Sequence, residues 1–171
     1  MREFVSTLQK ELKVTTILVT HDKEEALMMS DKIAVMVNGQ IKQFDTPSNL
    51  YEKPNSKEVA NIFGERNYIK GKIHNQTFEN DYIKLNLDIN EEINLDNVEL
   101  MISKENIEIN NTNNTDGILG KITKKVYLGE STIYEIQTMN TILKASSNNN
   151  SYNIGEDINI SFNFKEVVYF S

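Results

Sequence analysis

The apolar periodicity of this chain changes at about residue 65, and that change constrains its fold more than any other feature. Before it, apolar residues recur at helical spacing between short apolar runs. After it, they alternate, and asparagine-rich turns separate the alternating runs. A pattern of period 3.6 does not settle as a strand, and a pattern of period two does not settle as a helix. The sequence therefore predicts two parts: an α/β piece over residues 1–64 and an all-β domain over residues 65–171.

In the first part, Val5, Leu8 and Leu12 give residues 2–13 a helical stripe. Residues 14–20 are rich in β-branched side chains and apolar on both faces, which predicts a buried parallel strand. Asp22 is a helix cap, with Glu25 at capping-box spacing, and Ala26, Met29 and Ile33 supply the inward stripe. Residues 32–37 and 40–44 flank Asn38-Gly39 and predict a hairpin. Thr46-Pro47 opens a short helix over 48–52, and Pro54 ends it. Residues 56–63 form a last helix with Val59, Ile62 and Phe63 inward and Gly64 at its C-cap.

In the second part, residues 68–73, 82–87, 98–102, 118–127, 132–138, 142–145, 158–162 and 167–170 read as strands. Many short strands between turn signals predict a small barrel.

The balance of residues excludes several chemistries. Among 171 residues there is no cysteine and there are two histidines, His21 and His74. Disulfides, thiolate catalysis and a multi-histidine metal site within one chain are excluded. No metal ligand is assigned. The net charge of -7 and the lack of a basic stripe argue against nucleic acid. No apolar run approaches a membrane span and no signal-like segment opens the chain, so a cytoplasmic chain is expected.

The junction at His21 carries the chemistry. An apolar run ends at Thr20, the imidazole follows, and an acidic helix start comes next. Ligands in α/β proteins gather outside the carboxyl ends of strands. From position alone His21 has two readings, a structural hydrogen bond or a contact to a phosphate oxygen or attacking water. Asp22 reads as the cap, Met29 as core and Met28 as a partner contact. Arg66 and Lys70 read as solvated. Tyr127-Leu128-Gly129-Glu130 reads as a tight turn.

The residues also carry a resemblance. The segment from Thr15 to Leu27, Thr-Thr-Ile-Leu-Val-Thr-His-Asp-Lys-Glu-Glu-Ala-Leu, resembles the switch-histidine segment of ATP-binding subunits of ABC transporters. Ser30-Asp31-Lys32-Ile33-Ala34-Val35-Met36, Gly39-Gln40-Ile41, Phe44-Asp45-Thr46-Pro47 and Leu50-Tyr51-Glu52-Lys53-Pro54 extend it, as does Val59-Ala60-Asn61-Ile62-Phe63-Gly64. The resemblance runs over about residues 2–73. It is to the importer type with a C-terminal OB-like TOBE barrel, the group of maltose, polyamine, ferric iron, sulfate and phosphonate importers. Ile102-Ser103-Lys104-Glu105-Asn106-Ile107 resembles that domain's Arg-Pro-Glu-Asp-Ile element, with Ser103 and Lys104 in place of arginine and proline. Val126-Tyr127-Leu128-Gly129 resembles its second marker.

This resemblance implies a C-terminal fragment of the ATPase domain over residues 1–64 and a TOBE domain over 65–171. It implies that His21 contacts the γ-phosphate of ATP and helps orient the attacking water, in a site closed by a second ATP-binding subunit or a second copy. ATP and magnesium belong to the complete subunit. Membrane permease subunits are its implied partners, at the inner face of the cell membrane. The Walker A loop, signature motif, magnesium-binding aspartate, catalytic glutamate and D-loop are absent from this sequence, so the chain resembles one that begins just after the D-loop. One imidazole supplies neither the phosphate cradle nor the charge stabilisation that phosphoryl transfer needs. The expectation is no ATP hydrolysis by this chain alone. The alternative is a non-enzymatic regulatory or dimerisation module that binds a small solute or oxyanion.

Overall fold

The computed structural model describes residues 7, 11–89, 92–112, 117–164 and 166–171. The chain divides into two compact units, Met1–Gly64 and Glu65–Ser171.

In the first unit, helix α1 (Lys23–Met29) begins at the Asp22 cap. Strands β1 (Ile33–Val37) and β2 (Gln40–Asp45) pair antiparallel. Asn38 (φ 50°) and Gly39 (φ 75°) join them, the two left-handed residues that a two-residue hairpin turn requires. Helix α2 (Pro47–Glu52) is capped by the Thr46 hydroxyl, which accepts the Asn49 N–H at 3.3 Å. Helix α3 (Lys57–Phe63) is capped in the same way by Ser56. Gly64 donates its N–H to the Ala60 carbonyl at 3.3 Å, but its φ of -178° is extended, so glycine's freedom is not what ends the helix. Val35, Leu50, Val59 and Phe63 form the small core, with Leu27, Ile33, Val37 and Tyr51 packed around it.

Three expectations for this unit need correcting: Ile62, expected inward on the last helix, is 40% exposed, and Ala60 is buried there instead. Residues 14–20 do not form a strand. Ile17 is 88% exposed and Val19 92% exposed. A buried parallel strand needs hydrogen-bonded neighbours and covered faces. The β1–β2 hairpin, the one sheet among this unit's described residues, pairs only with itself. β propensity expresses packing against neighbours, and among the described residues this segment has no strand beside it. The inward stripe of α1 also differs, because no α1 residue is fully buried and Leu27 packs on the core. The helix expected over 2–13 lies largely outside the described residues, of which Thr7, Glu11 and Leu12 are helical.

Among its described residues, the second unit is all β apart from one 3-10 turn (Lys104–Asn106). Its strands are β3 (Arg66–His74), β4 (Thr77–Glu79), β5 (Lys84–Asn86), β6 (Asn94–Ser103), β7 (Ile107–Asn110), β8 (Ile118–Tyr127), β9 (Thr132–Gln137), β10 (Ile142–Ser147), β11 (Asp157–Phe162) and β12 (Val168–Phe170). Two five-stranded sheets result, ordered β10-β9-β8-β11-β7 and β12-β6-β3-β4-β5. Every pairing in them is antiparallel. They wrap one apolar core as a nearly closed barrel, with Phe78, Leu100, Ile102, Ile122, Tyr134 and Ile136 fully buried in it. At Gly71, beside a bulge in β3, a Cβ would stand 2.5 Å from the Phe78 ring and 2.7 Å from the Glu79 carbonyl. Only glycine allows that close approach.

One side chain ties the two sheets together. β10 is the outer strand of its sheet, so Lys144 turns backbone groups away from β9 with no strand to receive them. Asn67 on β3 receives them instead. Its Oδ1 accepts the Lys144 N–H at 2.7 Å, and its Nδ2 donates to the Lys144 carbonyl at 2.9 Å and the Ile102 carbonyl at 3.1 Å. The amide acts as one residue's worth of partner strand at the seam. Alongside it, the Lys144 ammonium meets the Glu65 carboxylate at 2.8 Å.

Asn67→Ala removes three hydrogen bonds to backbone groups of Lys144 and Ile102, one buried and two partly buried, and is expected to destabilise the second unit by about 2–4 kcal/mol, measured by urea denaturation. The hydrogen bond from Lys144 holds the Glu65 carboxyl below its ordinary range, and Glu65 raises Lys144 in return. Because the Glu65 value is depressed, its contribution is present above the ordinary carboxylate range and lost as pH falls through the lowered value. The pair is partly exposed, so that contribution is at most about 1 kcal/mol. The urea-midpoint difference between wild type and Glu65→Gln should shrink to nothing on acidification. A difference that grows in acid would contradict it.

Candidate functional site

The His21 turn is built by its two neighbours. The Thr20 hydroxyl oxygen accepts the Asp22 N–H at 3.0 Å. The Asp22 carboxylate accepts the N–H groups of Glu24 at 2.9 Å and Glu25 at 3.2 Å. Side chain to backbone bonds of this kind hold a chain in a turn and start a helix. His21 lies between them, in a bend, with its side chain exposed to solvent. Its backbone is fixed and its ring is free to meet a ligand.

Among the described residues the rest of a nucleotide site is not found around it. The sequence has no Gly-rich loop ending in Lys-Ser or Lys-Thr, whose backbone N–H groups would cradle phosphates. Among the described residues no group of three or more His, Asp or Glu side chains is placed to hold a metal ion. The residues present do not fit a bound Mg-ATP on their own. Met28, read as a partner contact, is 73% exposed. Met36, Ile41 and Phe44 are also exposed on this unit.

The other singled-out residues fall in the second unit. The Leu128 N–H donates to the Ser131 carbonyl at 2.8 Å, and Gly129 has φ 92°, so this step is the tight turn expected. Ser103 ends β6, and Lys104–Asn106 make the 3-10 turn that leads into β7. Arg66 is not simply solvated, because its Nη1 donates to Ser103 Oγ at 2.5 Å. Lys70 is exposed. Burial pushes the Tyr68 hydroxyl above its ordinary pKa, and the Arg66 charge opposes that shift.

A cleft of about 640 Å³ opens in this unit, lined by Tyr68, Ile69, Ile83, Ile118 and Thr138 among others. Sequence reasoning missed it. Its walls come from strands β3, β6 and β8 and from two turns far apart in the chain, and only the barrel's closure brings them together.

No protein-family model matches the chain. Its homologues are ATP-binding subunits of ABC importers. It is 36% identical over 149 residues to the spermidine/putrescine import ATP-binding protein PotA of Mesomycoplasma hyopneumoniae, covering 86% of this chain and 33% of that protein. It is 31% identical over 168 residues to the protein of that name from Pseudomonas fluorescens, covering 92% and 46%. It is 34% identical over 137 residues to the Fe(3+) ions import ATP-binding protein FbpC of Fusobacterium nucleatum, covering 78% and 37%. The chain thus spans less than half the length of these curated relatives.

Asp22→Ala removes the acceptor for two backbone N–H groups and should cost α1 about 1 kcal/mol. The check is amide exchange. Glu24 and Glu25 should exchange faster in the variant, while amides of β3 and β6 stay unchanged.

Proposed function

We propose that this chain is the C-terminal portion of the ATP-binding subunit of an ABC importer. One observation carries the proposal. A run of β-branched residues lies unpaired at 14–20 and leads into a fixed turn that presents His21, in a chain similar over most of its length to such subunits.

In this reading, residues 1–64 are the end of the ATPase domain and residues 65–171 are its OB-like TOBE extension. The apolar run would become a strand once the rest of the ATPase sheet flanks it. That places His21 at a strand's carboxyl end, where phosphates bind in α/β proteins. Magnesium would neutralise developing charge on the phosphoryl group in the complete subunit. His21 would donate or accept one hydrogen bond at the γ-phosphate or the attacking water. Thr20 and Asp22 would set the backbone that aims it. A second ATP-binding subunit or a second copy would close the site, and membrane permease subunits would be driven by it. No helix among the described residues is long and apolar enough to cross a membrane, so attachment to the membrane's inner face would come through those partners. Polyamine or ferric iron uptake, named in the relatives, are the two cargo classes proposed.

The test joins this chain to a polypeptide carrying the Walker A, signature and Walker B segments of the subunit. Mg-ATP turnover should appear in the joined protein and fall by at least about 100-fold with His21→Ala, the scale of losing one group from a transition-state site. Full turnover in the His21→Ala protein would refute the assigned role.

A further inference from the structure

The cleft in the second unit has a chemistry of its own. Two rigid turns form its rim. In the first, the Asn80 side chain donates to the Lys70 carbonyl at 2.9 Å and accepts the N–H groups of Tyr82 at 3.0 Å and Ile83 at 2.9 Å. The Asn80 N–H donates to the Ile83 carbonyl at 2.9 Å. This turn carries Asp81 and Tyr82 outward. In the second, the Thr138 N–H and hydroxyl both donate to the Thr141 carbonyl at 2.9 Å. That turn carries Met139 and Asn140 outward.

The buried part of the lining is apolar: Ile69 is 4% exposed and Ile83 6% exposed. The exposed part mixes large apolar side chains with Lys70, Asp81 and Asn140. Tyr82 is 49%, Leu119 65% and Met139 83% exposed. Large apolar side chains gathered in the open around a concavity mark a binding surface. Asn80 and Thr138 already spend polar atoms on their own turns, so they offer little to a polar guest.

The charges set the sign of the guest. Asp81, Glu99 and Lys70 line the cleft. Lys70 stands directly across the strand pair from Glu99, which leaves Asp81 to give the lining its negative balance. The whole chain carries -7. An oxyanion would meet that field and an apolar lining. A long polar polycation would bury charge against isoleucines. Tyrosine faces attract cations, and the apolar lining rewards a hydrocarbon body.

We propose that this cleft binds a small amphiphilic cation, an alkyl- or aryl-ammonium, with its apolar body against Ile69, Ile83 and Ile118 and its ammonium group toward Asp81 and Tyr82. The proposal does not rest on the nucleotide reading above, because it concerns a site within residues 66–171 and needs no ATP.

The test titrates the intact chain with three molecules of one shape and different charge: phenethylammonium, 2-phenylethanol and 3-phenylpropionate. Backbone amide shifts at Asp81, Tyr82, Leu119 and Met139 report the site. The expected order of affinity is ammonium, then alcohol, then carboxylate, with saturable shifts confined to the cleft. Tyr82→Ala should weaken the ammonium about threefold or more, the scale of a lost cation–π contact. Asp81→Asn should bring the ammonium close to the alcohol. Both residues are exposed on a turn, and unchanged shifts elsewhere confirm that the variants are folded. No saturable shift with the ammonium, or carboxylate binding as tight as ammonium binding, would overturn the proposal. Spermidine binding more tightly than phenethylammonium would overturn the requirement for an apolar body.

Discussion

A β-strand persists only where its backbone N–H and C=O groups find partners, and this chain shows both outcomes of that rule. In the second unit, closure leaves the outer strand β10 facing β3 without a continuous ladder. Asn67 bridges the gap with one amide that accepts from and donates to Lys144 while also holding the Ile102 carbonyl. Behind that bridge the sheets can bring Leu100, Ile102, Tyr134, Ile136 and Leu143 into one core. In the first unit the run at 14–20 has strand-forming side chains but no partner strand among the described residues, and it lies largely open to solvent. Backbone saturation, rather than side-chain preference, separates the two.

The legible parts of the fold were those written in local chemistry. Asn38-Gly39 specified its hairpin because two adjacent residues with positive φ fit one turn type. Asp22, Thr46 and Ser56 specified helix starts because their side chains accept the first orphan N–H groups. The long strands β8 and β9 were visible through their alternation. β4 and β7 were not, whereas the equally short β5 and β12 fell inside longer alternating runs. Asn75 and Gln76 make the turn before β4 with positive φ and no glycine, so the usual mark of a hairpin was missing. Asn67 was invisible for a different reason. Its partners are 35 and 77 residues away, and an isolated asparagine in a strand pattern gives no hint of a seam.

The same division applies to the sites. His21 was found because a strand-like run, an imidazole and a capping aspartate are adjacent in sequence. The turn that holds it is built by local neighbours, Thr20 and Asp22. The cleft was not found, because its two rims are turns about 60 residues apart that alternation and composition do not connect. A site made by tertiary closure leaves little trace in a linear pattern, whereas one built on a helix start leaves several.

Residues 14–20 are a strand in waiting if their backbone groups become paired once a sheet flanks them. Hydrogen–deuterium exchange measured on this chain alone, and again when it is joined to the remainder of an ABC ATPase domain, addresses that directly. Amides of 14–20 should exchange without protection in the isolated chain while β3 and β10 are protected. In the joined protein those amides should slow to the level of a sheet interior. Strong protection of 14–20 in the isolated chain would show that the segment already has its partners and would contradict the account.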